Sequence, residues 1–200
     1  MLVFWEARLV LLAVPKTGTQ ALASALAPRA DIAIRNPSRL KHMPLGWFRR
    51  ALLPILENAG GEALETAAVI REPLDWLASW YRYRRRPEIA GRPASTATMD
   101  FAEFAEGWLA DPQPPFARVG RQARFLKAEG ARVDHIFAYE RPDALHAFLA
   151  ERLGERIALP RINVSPPAET ALPPALQSRL EAELGPDRTL HRKALETEHG

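Results

Sequence analysis

The sequence predicts an α/β fold: a three-layer sandwich with a central parallel sheet and helices on both faces. The first observation is that three short runs, 8–14, 66–70 and 135–139, are almost entirely apolar, as strands buried on both faces are. The second is that segments of helical composition or spacing follow these runs, and strands alternating with helices are typical of a parallel sheet. A length of 200 residues suits one domain over 1–200.

Further elements are predicted in the first half of the chain. The alanine-rich segment 18–27 has high helix propensity, and 31–35 is a second short strand. Apolar residues recur at helical spacing over 46–58, where Pro54 is expected to kink or break the helix. Pro73 lies where the first turn of a helix tolerates proline, and this helix is predicted to continue over 74–86.

The second half is predicted to contain mostly helices and one strand. The segment 87–99 is a loop rich in proline and small residues, and Asp100 is a candidate N-cap for the helix that follows it. Further helices are predicted at 116–128, 144–152 and 175–184, with a short one after Asp187. Five prolines make 160–174 irregular.

Composition restricts the class of protein. Hydrophobic residues make up 47% and charged residues 26% of a chain with a net charge of +3, which fits a soluble globular protein with no need of a nucleic-acid partner. Cysteine is absent, so disulfides and thiolate metal sites are excluded. Glu6 and Arg8 interrupt the apolar stretch 2–14, which is therefore too short and too charged for a membrane span and lacks the order of a signal peptide. We expect a cytoplasmic protein.

The loop 15–20, with the sequence PKTGTQ, lies between a predicted buried strand and a predicted helix. Gly18 allows a ligand to approach the backbone closely, and the free amides at a helix start form an anion site. Lys16 adds a positive charge, while Thr17 and Thr19 add hydroxyl donors. The loop is not a Walker A motif, because G-x-x-x-x-G-K-[ST] is missing. The alternative is a glycine-containing turn with a solvated lysine.

This loop resembles the phosphosulfate-binding loop of sulfotransferases, P-K-[ST]-G-T-[TS]. Five of its six positions match, and Gln20 replaces the usual hydroxyl residue. The resemblance implies that 3′-phosphoadenosine-5′-phosphosulfate (PAPS) is the co-substrate, bound through Lys16, Thr17, Gly18, Thr19 and Gln20. An amide at Gln20 can still donate a hydrogen bond.

The same family has a second motif, in which an arginine ends a strand and a serine follows eight residues later on a helix. Arg71 and Ser79 have this spacing, and the resemblance implies that they hold the 3′-phosphate of PAPS. An arginine fork and a hydroxyl two helical turns further on can converge on one anion. The alternative is that Arg71 pairs with Glu72 or Asp75 and that Ser79 only fills space on the helix.

The two motifs together identify the chain as a sulfotransferase-like protein of nucleotide-kinase-like, P-loop-like architecture. The R-E-P sequence at 71–73 is more similar to carbohydrate sulfotransferases and their bacterial relatives than to the phenol and steroid enzymes. The segment 163–166 is weakly similar to the same group. The implied reaction moves the sulfuryl group of PAPS to an acceptor hydroxyl, on a glycan or small metabolite, and leaves 3′-phosphoadenosine 5′-phosphate (PAP), without a metal.

The reaction needs charge stabilisation on the leaving phosphate and a base for the acceptor proton. Lys16 is the candidate for the first role. His42 is the candidate base, because related enzymes place a His or Glu in this region and imidazole titrates near neutrality; it can equally be an exposed loop histidine. Glu57 and Glu62 are weaker candidates, and His135 and His146 are expected to be structural.

An arginine cluster with interleaved aromatic residues is predicted to lie on the acceptor side. Its members are Arg82, Arg84, Arg85, Arg86 and Arg92, with Trp76, Trp80, Tyr81 and Tyr83 between or before them. Either it is a solvated helix end, or it is an electropositive rim that attracts PAPS or an anionic acceptor. The loop 87–99 is expected to cover the acceptor.

Two other functions remain open from the sequence. One is a phosphoryl-transferring kinase on the same architecture, which the missing Walker A motif disfavours. The other is a sulfotransferase-like protein that binds a nucleotide or glycan without turnover. The sequence leaves the acceptor and the oligomeric state undetermined.

Overall fold

A single five-stranded sheet forms the centre of the fold in a computed structural model that describes residues 1–155 and 168–196. The segment 163–166 and most of the proline-rich segment 160–174 lie outside the described residues. The strands are β1 (Leu2–Phe4), β2 (Leu9–Leu11), β3 (Ile32–Ala33), β4 (Glu65–Ile70) and β5 (His135–Ala138). Their order across the sheet is β3-β1-β2-β4-β5.

The sheet is mixed, with four of its strands running in the same direction. Strands β2, β4 and β5 are parallel neighbours, whereas β1 is antiparallel to both β2 and β3. The predicted α/β class is confirmed, and the prediction of an entirely parallel sheet is wrong at β1. Because β2, β4 and β5 are parallel, the segments that follow them emerge at one edge of the sheet.

The strand predicted at 8–14 is present as β2, and it forms the second half of a hairpin with β1. The turn places Arg8 in a left-handed conformation (φ 50°), and the Arg8 amide donates to the carbonyl of Trp5 at 2.9 Å. The charged residues that interrupt the apolar run, Glu6 and Arg8, lie in this turn. Arg8 pairs there with Glu62 at the surface. The run therefore reverses direction at its charges.

Ten helices lie in the described ranges. They are α1 (Thr19–Leu26), α2 (Ser38–Lys41), α3 (Leu45–Trp47), α4 (Leu53–Gly60), α5 (Pro73–Arg84), α6 (Phe101–Leu109), α7 (Gln122–Phe125), α8 (Pro142–Leu153), α9 (Pro174–Glu183) and α10 (Gly185–Glu196). Among these helices, none has both the length and the apolar character needed to cross a membrane.

Most helix predictions are confirmed, and two are corrected. Pro54 does not break the helical segment, because a π-helical turn over Phe48–Leu52 precedes it and Pro54 occupies the first turn of α4. The continuous helix predicted at 116–128 is wrong. Gly120 there has a φ of 76°, and only a 3₁₀ turn at Pro115–Ala117 and the short α7 form. Asp100 caps α6 as predicted, in a capping box with Glu103.

Helices cover both faces of the sheet. One face, which includes Val10 and Ile70, packs against α3, α4 and α10. The other, which includes Leu11 and Val69, packs against α1 and α8. A third cluster joins α5, α6 and α9 around Trp76 and other aromatic residues. Burial of these apolar surfaces fixes the position of α5 relative to the sheet edge, where Arg71 and Ser79 lie.

Candidate functional site

A cavity of about 920 Å³ opens at the edge where β2, β4 and β5 end. The loop 15–20 follows β2, Arg71 directly follows β4, and Tyr139 directly follows β5, and residues from all three segments line the cavity. Helices α2 and α5 contribute the remaining walls, with His42 and Ser79 among the lining residues. This edge is where ligands of open α/β sheets bind, and the volume falls within the range of small-molecule sites.

The loop 15–20 is held in an anion-binding conformation by its backbone. Lys16 and Gly18 both adopt positive φ angles, 67° and 75°. Gly18 is the N-cap of α1 and no side chain caps the first turn, so the first amides of the helix are left for a ligand. A Cβ atom at Gly18 would lie 3.3 Å from Cε2 of Tyr139. Glycine is therefore favoured here by both conformation and space.

Helix α5 fixes the start of this loop. The indole N–H of Trp76 donates to the carbonyl of Pro15 at 2.8 Å, and Trp76 is almost fully buried. Within the loop, the hydroxyl of buried Thr17 donates to the carbonyl of Val14 at 2.9 Å. Thr17 thus shapes the loop and is not among the residues that line the cavity, whereas Gly18, Thr19 and Gln20 do line it.

The Lys16 ammonium lies against two aromatic rings, and its pKa is lowered. Its ammonium lies 4.2 Å from the ring centre of Tyr83 and 5.8 Å from that of Trp80, which are cation–π distances. Burial, followed by the positive charges of Arg86, Arg71 and Arg82, lowers its pKa to about 8. A lysine surrounded by arginines in a cleft has a charge that an anionic ligand would compensate.

The structure brings the two sequence motifs together. The guanidinium of Arg71 lies 3.5 Å from the carbonyl oxygen of Lys16, to which it donates. Arg71 also donates to Asp75 at 2.6 Å, and Arg82 donates to the other oxygen of Asp75 at 2.9 Å. The pairing of Arg71 with Asp75 in the alternative interpretation is therefore present. One carboxylate holds two arginines side by side at the cavity wall.

Ser79 lies on α5, two turns beyond Arg71, and lines the same cavity. The residue is 5% exposed, yet no side-chain hydrogen bond of its hydroxyl exists within residues 1–155 and 168–196. Because this hydroxyl has no partner in those ranges, it has hydrogen-bonding capacity for a ligand in the cavity.

Two residues that the sequence analysis did not identify position Arg71. The side-chain amide of Gln122 accepts from the Arg71 amide at 2.9 Å and donates to the Arg71 carbonyl at 2.8 Å. The ring of Tyr139 lies 4.6 Å from the Arg71 guanidinium carbon. Both contacts join residues far apart in sequence, so no local pattern signals Gln122; Tyr139 was detectable only as the residue ending a predicted strand.

His42 lines the cavity immediately after α2. Its Nδ1 lies 2.6 Å from the carbonyl oxygen of Ala13. Because a carbonyl only accepts, Nδ1 carries the proton and Nε2 is the basic nitrogen. Burial, with a further contribution from the Lys41 ammonium, lowers the pKa of His42 although the Ala13 carbonyl opposes the change. The imidazole is thus oriented and kept neutral, as a base near neutral pH must be.

The predicted arginine cluster divides into two groups. Arg82 and Arg86 line the cavity together with Trp80 and Tyr83. Arg84 instead donates to backbone carbonyls of Pro115, Phe116 and Arg118, and Arg85 donates to the hydroxyl of Tyr81 and to the carbonyl of Met99. Trp76 and Tyr81 belong to the core. Different sides of α5 thus face the cavity and the interior. The consecutive arginines in the sequence do not show which of them lies on which side.

The loop 87–99 does not border the cavity. Its buried Thr96 donates to the carbonyl of Tyr81 at 2.8 Å, which fixes the loop against α5. Arg118 and Val119, from the segment before α7, line the cavity instead. The lining of this cavity therefore gives no support to the expectation that 87–99 covers the acceptor.

The cavity wall has a one-sided charge. Four of the cations lie in or next to the loop 15–20: Lys16, Arg71, Arg82 and Arg86. Three more line other parts of the wall: Arg39, Lys41 and Arg118. No Asp or Glu is among the described residues that line it. The weaker base candidates lie elsewhere: Glu57 accepts from the Leu64 amide and Glu62 pairs with Arg8. The arrangement suits a polyanionic ligand.

Other titratable groups are engaged outside this cavity. His135 lies 2.9 Å from a carboxylate oxygen of Glu65 and is away from the cavity lining. In the described parts of the chain, no group of three or more His, Cys, Asp or Glu side chains is placed to hold a metal ion.

In comparisons with protein-family models, curated proteins and solved structures, nothing matches the chain.

Proposed function

We propose that the chain is a PAPS-dependent sulfotransferase. The observation that supports this most is the convergence of both motifs on one cavity: the Lys16 loop and the Arg71–Ser79 pair lie on the same wall, linked by the contact between Arg71 and the Lys16 carbonyl. PAPS carries phosphate groups at two positions of its ribose. Two separate anion-binding groups in a cavity of suitable volume fit such a ligand.

Each residue has a defined role in the proposed reaction. Arg71 and the unpaired hydroxyl of Ser79 bind the 3′-phosphate, while the amides at the start of α1 bind the 5′ side. Lys16 stabilises the charge that grows on the bridging oxygen as the bond from sulfur to that oxygen breaks. A bond from sulfur to the acceptor oxygen forms, the acceptor proton passes to Nε2 of His42, and PAP is the leaving product.

The two other functions have less support. A kinase would place Mg²⁺ against phosphate oxygens with a carboxylate ligand, and no carboxylate lines this cavity within the described ranges. A binding protein without turnover would not need an oriented neutral imidazole. His42 has such an imidazole through its bond to the Ala13 carbonyl.

Ligand binding tests the proposal. Calorimetry and thermal unfolding should show that PAP and PAPS bind and raise the melting temperature, since a ligand that binds only the folded state stabilises it. AMP, which lacks the 3′-phosphate, and ATP should bind at least about tenfold more weakly, the value of one charge-assisted contact. Equal affinity for PAP and AMP would contradict the assignment of Arg71 and Ser79.

A pair of variants makes this test specific. Arg71→Ala should weaken PAP binding about tenfold to a hundredfold, because it removes a charge-assisted contact to phosphate. Arg92→Ala is the matched control, because Arg92 is exposed and does not line the cavity. An assay then distinguishes an enzyme from a binding protein. It measures the PAP that is released when sulfuryl is transferred from PAPS to water or to an added hydroxyl compound.

A further inference from the structure

The cations of the cavity form two groups that lie at different places. Arg71 donates to the Lys16 carbonyl and shares Asp75 with Arg82. The Lys16 ammonium and the Arg86 guanidinium both lie against the ring of Tyr83, so these four cations lie together at the loop. Lys41 instead acts on His42. Arg39 and Lys41 come from α2, which directly precedes His42, and both line the cavity. In the proposed function the first group neutralises the phosphates of PAPS, and the second group is left beside the base.

The second group has no counter-ion in the described part of the chain. Among residues 1–155 and 168–196, neither Arg39 nor Lys41 has an ion pair or a side-chain hydrogen bond. Arg71 and Arg82, by contrast, share Asp75. Lys41 is half-buried, and burial lowers its pKa. A partly buried cation without a partner costs free energy, which a bound anion would offset.

The arrangement of Arg39 suits an oxyanion. Its guanidinium lies 5.2 Å from the ring centre of Trp47, a cation–π contact that orients the fork. An oriented guanidinium binds two oxygens of a carboxylate or sulfate at once, and Lys41 adds a point charge. Trp47 also lines the cavity, and its flat apolar face offers a surface for a ring.

We infer that Arg39 and Lys41 form an acceptor subsite for an oxyanion, a carboxylate or a sulfate ester, carried by the same molecule as the hydroxyl that His42 deprotonates. The inference rests on the proposed function and deepens it. The acceptor is then an anionic hydroxyl compound, such as an acidic sugar. Its anionic group would bring its hydroxyl to Nε2 of His42, while the nucleotide occupies the other group of cations.

Matched pairs of probes test the subsite. The first pair is an oligosaccharide that contains glucuronic acid and its carboxyl-reduced form. The second is a sulfated oligosaccharide and its unsulfated parent. Calorimetry with saturating PAP should show that the charged member of at least one pair binds at least about tenfold tighter than its neutral form. The pair that shows the preference identifies the oxyanion as carboxylate or sulfate.

Variants determine whether the preference depends on this subsite. The double substitution Arg39→Gln with Lys41→Gln should reduce the preference to less than about threefold and leave PAP affinity unchanged. Arg50→Gln is the matched control, because Arg50 is exposed on the neighbouring helical segment and does not line the cavity. Equal or absent binding within both pairs, or a preference that persists in the double variant, would overturn the inference.

The same samples separate this inference from the proposed function. PAP affinity is measured first on each variant. If PAP does not bind, the proposed function fails, and the charge preference measured without nucleotide still decides whether the subsite exists. If PAP binds and the preference is absent, the subsite fails alone.

Discussion

Lys16 allows a test in which only pH is changed. Its pKa of about 8 means that about nine tenths of its side chains are charged at pH 7 and about one tenth at pH 9. A bound phosphate favours the charged form, so the pKa rises when PAP binds. The free protein must then take up a proton on binding above pH 8, and the affinity falls as pH rises through the pKa of the free protein.

The size of this effect follows from the same pKa. If Lys16 is fully charged in the complex, the affinity for PAP at pH 9 should be about tenfold lower than at pH 7. The phosphates of PAP do not contribute, because the second phosphate ionisation lies near pH 6. Lys16→Met should remove most of this pH dependence and lower the affinity at pH 7 by about tenfold or more, since a charge-assisted contact is lost.

Calorimetry of PAP binding at pH 7, 8 and 9, in two buffers of different ionisation enthalpy, measures both affinity and proton uptake. Lys127→Met is the control, because Lys127 is an exposed lysine that does not line the cavity, and its pH profile should match the wild type. An affinity that does not change from pH 7 to pH 9, or a Lys16→Met profile as steep as that of the wild type, would refute the placement of Lys16 at the phosphates.

Three further changes test the remaining parts of the cavity. Ser79→Ala should weaken PAP binding about tenfold and leave AMP binding unchanged in calorimetry; equal losses would remove Ser79 from the 3′-phosphate site. His42→Ala should lower turnover about 10²–10⁴-fold with PAP affinity intact. Because the pKa of His42 is lowered and the base must be neutral, the rate of the wild type should decline only below the pH at which an ordinary histidine titrates. A near-normal rate in His42→Ala would assign the base to another residue. Trp76→Phe should cost about 1 kcal/mol in the free energy of unfolding and weaken PAP binding, whereas Trp108→Phe, which loses a bond to the Gly120 carbonyl, should change only stability in denaturant titrations.

Sequence patterns predicted the elements that burial determines. The apolar runs at 66–70 and 135–139 became β4 and β5 because both faces of the sheet are covered by helices. The run at 8–14 likewise contains β2, but the same reasoning did not predict β1, which the turn ending at Arg8 joins to β2 as a hairpin. Composition does not distinguish one long buried strand from two short ones joined by a turn. The turn depends on a positive φ at Arg8, which is uncommon for a residue other than glycine and has no local sequence signature here.

The cavity was predictable only in part, for a related reason. Lys16, Arg71 and Ser79 were found because the loop 15–20 and the spacing from Arg71 to Ser79 resemble two sulfotransferase motifs, and parallel strands bring the ends of their strands together. Gln122 was assigned to a long helix, whereas its amide bonds to the backbone of Arg71, 51 residues away in sequence. Arg39 and Lys41 were not identified, because an unpaired cation is recognised only when its whole surroundings are known.

The charge distribution of the cavity also relates stability to function. Arginine and lysine side chains line its wall without an acidic residue among the described lining. Burial, and after it the positive charges of Arg86, Arg71 and Arg82, lowers the pKa of Lys16. Asp75 offsets part of this repulsion at Arg71 and Arg82 but leaves Lys16, Arg39 and Lys41 uncompensated by any carboxylate of the lining. Because like charges in this wall repel one another, binding of anions to it should stabilise the fold in two steps. PAP should raise the melting temperature first, and an anionic acceptor should raise it again in the presence of PAP, because the two groups of cations are separate.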